Sequence, residues 1–132
     1  MVETLSDIGN KEVKYDYTSS FPNVSAGGDT GLVELVPGVT GKRIVVVNLR
    51  FSGFSVSEFI GGDQTSQVQF FSDSTEITGK WQATFDWWMD CGYNPDGHFQ
   101  TDKGEALNYK LINTTAGTIT CGVEVFLSYI EK

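Results

Sequence analysis

Apolar and polar residues alternate with a period of two along most of this chain, which is the pattern of β-strands with one buried face. With the turn clusters between them, these runs predict strands at 11–18, 31–36, 43–51, 54–60, 67–72, 80–90, 106–112 and 118–130. In the run 80–90 the odd-numbered positions from Trp81 to Met89 share one face. No window carries a sustained helical period, so the pattern predicts an all-β protein.

About eight strands joined by turns rich in Gly, Asn, Asp and Pro are typical of a two-sheet sandwich, and eight is the strand count of a jelly roll. We therefore expect a single-domain, jelly-roll-like β-sandwich over residues 31–132, preceded by an N-terminal arm and loop over residues 1–30. The run 43–51 is apolar on both faces. It predicts a central strand that is covered on both sides or continues into an interface.

The chain has 132 residues, which suits one domain, with 9 basic and 17 acidic residues and a net charge of −8. A surface of that sign repels phosphate backbones and anionic lipids, so neither nucleic acid nor a membrane is expected as a partner. The first ten residues lack the pattern of a secretory signal. Cys91 and Cys121 are accordingly expected to be buried thiols of a protein folded in a reducing cytosol. The sequence does not decide whether they form a disulfide.

Few residues offer catalytic chemistry. His98 is the single histidine, so a catalytic triad or a Cys–His pair must use it, with Cys91 and a nearby Asp90 or Asp96 as partners. Two cysteines and one histidine lack the compact spacing of a zinc site. A calcium site stays an alternative, because one loop contains the oxygen-bearing residues Asp90, Asn94, Asp96 and Asp102. Turn formation also explains these residues. We therefore expect no enzyme, no catalytic residue, no metal and no cofactor.

The aromatic residues favour a binding function. By strand parity, Trp88 points away from Trp81 and Trp87, which suits stacking on a sugar ring or anchoring of a protein interface. One ring of the pair Phe70 and Phe71 must likewise face away from the core. Together with the end of the two-sided apolar strand, this gives the candidate binding residues Trp88, Phe71, Phe51 and Arg50.

Two segments resemble small virion proteins of tailed bacteriophages. The first is Pro-Gly-Val-Thr-Gly-Lys-Arg-Ile-Val-Val-Val at 37–47, similar to a Gly-Lys-x-Ile-x-Val strand of that family. The second, at 93–108, reads Tyr-Asn-Pro-Asp-Gly-His-Phe-Gln-Thr-Asp-Lys-Gly-Glu-Ala-Leu-Asn. Its Asn-Pro-Asp-Gly turn and Gly-Glu-Ala-Leu string match the family's second half. The resemblance covers about residues 31–130, and the N-terminal 30 residues and the aromatic middle at 51–71 depart from it.

This resemblance implies a jelly-roll-like head decoration (cement) protein, which binds the outer surface of the major capsid protein shell and stabilises the head. It implies a non-enzymatic homotrimer, assembled in the host cytoplasm and located on the capsid surface of the virion. The alternative is a carbohydrate- or receptor-binding β-sandwich module of a phage tail fibre or other tail component.

Overall fold

The computed structural model describes residues 12–20, 22–55, 65–84, 87–114 and 119–132. These residues form strands and connecting loops, and none of their segments is a helix long and apolar enough to cross a bilayer. The strands are β1 (Val13–Ser20), β2 (Asn23–Val24), β3 (Val33–Val36), β4 (Ile44–Ser55), β5 (Thr65–Ser72), β6 (Thr75–Glu76), β7 (Trp81–Thr84), β8 (Trp87–Asp90), β9 (Phe99–Gln100), β10 (Leu107–Asn113) and β11 (Ile119–Glu131).

The long strands follow the order of a jelly roll. One sheet runs β1-β11-β4-β8, and the other runs β3-β10-β5 with β7 paired to β5. All pairings between them are antiparallel. The three two-residue strands β2, β6 and β9 extend these sheets. Most connections between the long strands therefore cross from one sheet to the other, except that β5 and β7 pair in the same sheet. This is the double-sheet arrangement that the sequence predicted.

The core lies between the two sheets and is built from the alternating apolar residues. On β10, Leu107, Tyr109 and Leu111 are fully or almost fully buried. On β11 the buried set includes Val123, Val125 and Leu127. The inward parity predicted for both strands is confirmed at these positions, and the side chains of Ile119 and Cys121 lie outside the described residues.

β4 is one of the two central strands of its sheet, and it carries a bulge. Ser128 pairs with Asn48, whereas the next residue, Tyr129, pairs with Val46, so Val47 is the extra residue. Val45 and Val47 pack with Ile130 and Val13 in a second apolar cluster, separate from the main core. The first half of β4 is thus covered on both sides, as its two-sided apolar sequence predicted. Its possible continuation into an interface stays a prediction.

The structure corrects two predicted boundaries. The run 80–90 is two strands, because β7 pairs with β5 in one sheet and β8 pairs with β4 in the other. Residues 13–20 are a full strand paired with β11, and β2 also pairs with β11, so part of the expected arm belongs to the sandwich. Residues 1–11, and most of the strand expected at 54–60, lie outside the described residues.

The strand β1 presents the opposite face from the one its sequence suggests. Tyr15 and Tyr17 are 80% and 53% exposed. Ser20, on the alternate face, brings its hydroxyl within 3.5 Å of the hydroxyl of the buried Tyr109. The register with β11 places Tyr17 opposite the exposed Phe126, so the tyrosines lie on the outer surface of the sheet. Exposed aromatic rings are thereby gathered on one sheet face.

Replacing Phe51 with alanine is expected to lower the free energy of unfolding by about 3–5 kcal/mol, because the change leaves a cavity in a close-packed core. The Phe51 ring is fully buried and meets Phe70 and Tyr109 edge-on, at centroid distances of 6.0 Å and 5.3 Å. Denaturant titration followed by fluorescence measures the change. Tyr15→Ala, at an exposed aromatic, is the control and is expected to stay within about 0.5 kcal/mol. Equal losses in the two variants would contradict this assignment of the core.

Candidate functional site

The two segments that resemble phage virion proteins lie against each other in space. Segment 94–105 runs along the first half of β4, and β9 pairs with Val45 and Val46. Beyond that pairing, the Asn94 amide donates to the Val47 carbonyl at 2.7 Å, and the Gly104 amide donates to the Lys42 carbonyl at 2.8 Å. Backbone hydrogen bonds therefore join the two segments from one end to the other. We call the pair, residues 37–47 with 93–108, the motif unit.

Glycines let the backbones of the motif unit approach closely. A Cβ built on Gly38 would collide with the carbonyl oxygen of Gly104, and one built on Gly97 would collide with the side chain of Val45. Gly97 and Gly104 also have positive φ values of 90° and 82°, a region that favours glycine. The glycines of both segments are thus explained by packing and turn geometry.

Polar side chains fix the end of the motif unit next to β5. The Ser72 hydroxyl donates to the Glu105 carboxylate at 2.8 Å and accepts from the Asp102 amide at 2.9 Å. Arg43 donates to the Thr101 carbonyl at 3.2 Å and pairs with Asp102 at 3.3 Å. The Gly-Glu-Ala-Leu string therefore ties the two sheets together at this end.

The side-chain oxygens of the predicted calcium alternative have partners within the protein. Asp90 accepts from the Gly92 amide at 2.8 Å, and Asn94 accepts from the Asp96 amide at 3.0 Å. Asp102 is paired with Arg43. Within the described ranges, no three His, Cys, Asp or Glu side chains come together in a way that could hold a metal ion.

The surroundings of His98 and Cys91 favour structural roles over a role in nucleophilic catalysis. His98 is exposed, and its Nε2 lies 2.9 Å from the Gly92 carbonyl oxygen. Cys91 is partly buried against the main core. Burial, and secondly the negative charge of Asp90, raises the pKa of the Cys91 thiol. A nucleophilic cysteine needs the opposite shift.

An open groove lies on the outer face of the sheet β1-β11-β4-β8, over the second half of β4. Its volume is about 550 Å³. One cross-strand row forms its middle, since Tyr17, Phe126, Arg50 and Asp90 are successive register partners on the four strands. The remaining lining residues are Tyr15, Asp16, Asn48, Leu127 and Ser128. We call this the outer-face groove.

The aromatic side of the outer-face groove is a fixed platform. The rings of Tyr17 and Phe126 lie 4.5 Å apart between centroids and are inclined by 35°. The Tyr17 hydroxyl donates to the Glu124 carboxylate at 3.3 Å. Exposed tyrosines beside an arginine are the residue types that most often carry binding energy at protein surfaces. The groove is therefore the strongest candidate binding site in the described part of the chain.

Of the four candidate binding residues, the structure places Arg50 in the outer-face groove. Phe51 is in the core, because the parity that turns Arg50 outward turns Phe51 inward. Phe71 lies outside the main core cluster but is only 5% exposed, with the Lys110 ammonium 5.2 Å from its ring centroid. Neither phenylalanine offers a surface to a partner, which corrects that expectation. The Trp88 backbone pairs with Ser52, and its side chain lies outside the described residues.

The sequence interpretation missed Tyr15, Tyr17 and Phe126. A signal was present for Phe126, which occupies one of the otherwise polar positions of β11 between Glu124 and Ser128. The sequence correctly predicted that Tyr15 and Tyr17 lie on the same face of β1, but it assigned them to the inner face instead of the outer one. Only the register of β1 with β11 decides that face.

Comparisons with known proteins leave the family open. No family model matches the sequence, and no curated protein matches it. One similar solved structure is that of the disulfide-linked pili of Bacillus endospore appendages, with TM-score 0.48, 10% identity, and 91% of this chain and 89% of that chain covered. Another is FLHE, with TM-score 0.46, 12% identity and coverage of 89% and 96%. A third is maize chlorotic mottle virus, with TM-score 0.45, 12% identity and coverage of 89% and 93%. At these values the similarities assign no function to this chain.

Gly38→Ala is expected to destabilise the fold by about 1–3 kcal/mol, because the added methyl group meets a backbone carbonyl of the motif unit and something must shift. Gly79→Ala is the matched control, since a Cβ there meets nothing within 4 Å. Its effect is expected to stay within about 0.5 kcal/mol. Thermal and denaturant unfolding measure both variants, and a Gly38→Ala protein as stable as the control would contradict the close approach of the two segments.

Proposed function

We propose that this protein is a non-enzymatic capsid decoration protein, which binds the outer surface of the major capsid protein shell and stabilises the head. The observation that carries the proposal is the motif unit. The two segments of family-like sequence lie about 50 residues apart in the chain, yet they form one hydrogen-bonded substructure. Two chance matches would have no reason to meet in this way.

The architecture supports the same proposal. Jelly rolls of two four-stranded sheets are common in viral capsid and lectin domains. Because one fold serves many functions, the fold alone does not choose between them. The family-like segments favour the virion, and the net charge of −8 suits an outward-facing shell component that must not bind nucleic acid.

A homotrimer on the capsid surface is part of the proposal. A small protein that contacts several capsid subunits at once gains affinity from multivalency rather than from one tight site. Closed symmetric assembly also matches the local symmetry of a shell. The outer-face groove favours the second candidate function, a carbohydrate- or receptor-binding module of a tail component, because exposed rings beside polar groups suit either ligand.

Purified full-length protein is expected to co-sediment with heads that were assembled without it, to saturation, and to raise the temperature at which they come apart. A protein that binds assembled heads and not separated subunits stabilises the assembled state by mass action. Heads already carrying the protein are the control and should take up no more. Absence of saturable binding to the empty sites would overturn the proposal, and binding to tails alone would favour the second candidate.

A further inference from the structure

We infer that the outer-face groove binds a neutral glycan chain. The inference rests on the second candidate function and deepens it by naming the site and the ligand class; it does not depend on capsid decoration. The inference rests on three features of the groove: the exposed aromatic platform, charges of both signs, and donors and acceptors placed around one cavity.

The aromatic platform provides a surface on which a sugar ring can stack. Tyr15 and Tyr17 are 80% and 53% exposed, and Phe126 extends the surface beside Tyr17. The face of an aromatic ring is negative and apolar. One face of a pyranose ring presents C–H groups, which are weakly positive and apolar, so the two faces are complementary. The hydrogen bond from the Tyr17 hydroxyl to Glu124 favours this ring orientation.

The charges in the groove disfavour a charged ligand of either sign. Asp90 on β8 borders it, beside its register partner Arg50 on β4. An anion would have to approach the Asp90 carboxylate, and a cation would have to approach the Arg50 guanidinium. The net charge of the whole chain adds a long-range repulsion of polyanions. A neutral ligand avoids both costs.

The polar groups of the groove match a ligand whose hydroxyls both donate and accept. Arg50 has N–H donors, the Asp90 carboxylate accepts, and Asn48 and Ser128 can do both. A polyhydroxylated chain can hydrogen-bond with this mixture, whereas an apolar molecule would only remove water from it. The volume of about 550 Å³ lies in the usual range of small-molecule sites.

A protein partner fits the same groove less well. Buried centres of protein interfaces are depleted in charged residues. Here Asp90 lies in the groove, at the end of the cross-strand row that holds Tyr17 and Phe126. A flat protein surface would have to desolvate this carboxylate and pair it, or lose binding energy. An open, wet glycan site leaves the carboxylate in contact with water.

The test is a glycan array probed with the full-length protein, carrying neutral oligosaccharides of glucose, galactose, mannose and N-acetylglucosamine beside sulfated and sialylated ones. We expect binding to one or more neutral glycans and none that requires a charged group. Affinities for the best neutral oligosaccharide are then measured by calorimetry for four proteins: wild type, Tyr17→Ala, Tyr17→Phe and Tyr93→Ala.

Tyr17→Ala is expected to weaken binding at least about tenfold, as removal of a stacking ring would. Tyr17→Phe keeps the ring and should bind within a few-fold of wild type. Tyr93→Ala removes a tyrosine that is 65% exposed and does not line the groove, so its binding should be unchanged. Melting temperatures confirm that all variants are folded.

The inference is overturned if no neutral glycan binds, if only charged glycans bind, or if Tyr17→Ala binds as tightly as wild type. Each variant is also sedimented with heads that lack the protein. Retained head binding by Tyr17→Ala separates this site from the decoration function. Loss of head binding in Tyr17→Ala without any glycan binding would make the groove a capsid contact, which also overturns the inference.

Discussion

The structure depends on how the outer side of β4 is covered. The first half of this central strand carries Val45 and Val47 on the side away from the main core, and apolar residues on that side must be shielded from water. Val13 and Ile130 cover this side, and the Gly97 backbone lies against the Val45 side chain. Segment 94–105 pairs with the same half of the strand, through backbone hydrogen bonds to Lys42, Ile44, Val46 and Val47. The motif unit is the result of this pairing, and the close approach at Gly97 and the hydrogen bond from Arg43 to the Thr101 carbonyl belong to it.

The bulge at Val47 divides β4 into two halves with different roles. Before the bulge the outer side is apolar and covered, and after it the outer side carries Asn48, Arg50 and Ser52. The outer side of the first half is covered by other residues, whereas the outer side of the second half faces the groove. There the neighbouring strands add Tyr17 and Phe126. One irregularity in one strand thus sets the boundary between a structural region and a candidate binding region.

Much of the fold follows from the alternation of residues, and the exceptions have physical causes. The strands β10 and β11 were predictable because one face of each is consistently apolar. The split of 80–90 into β7 and β8 was not, since both halves keep the same alternation while they pair in different sheets. The outward face of β1 depends on its register with β11, which sequence alone does not reveal. Of the groove, only Arg50 was predicted as a binding residue. The tyrosines looked like core residues, and Phe126 is a single aromatic residue between Glu124 and Ser128 on the outward face of its strand.

Imaging of virus heads tests the central claim most directly, namely that this jelly roll is a component of the outer shell. Heads assembled with and without the protein are compared by electron cryo-microscopy at a resolution that separates strands. The account predicts extra density on the outer surface of the shell into which two sheets in the order β1-β11-β4-β8 and β3-β10-β5-β7 fit. Identical shells in the two reconstructions, or density for this chain only in the tail, would contradict it.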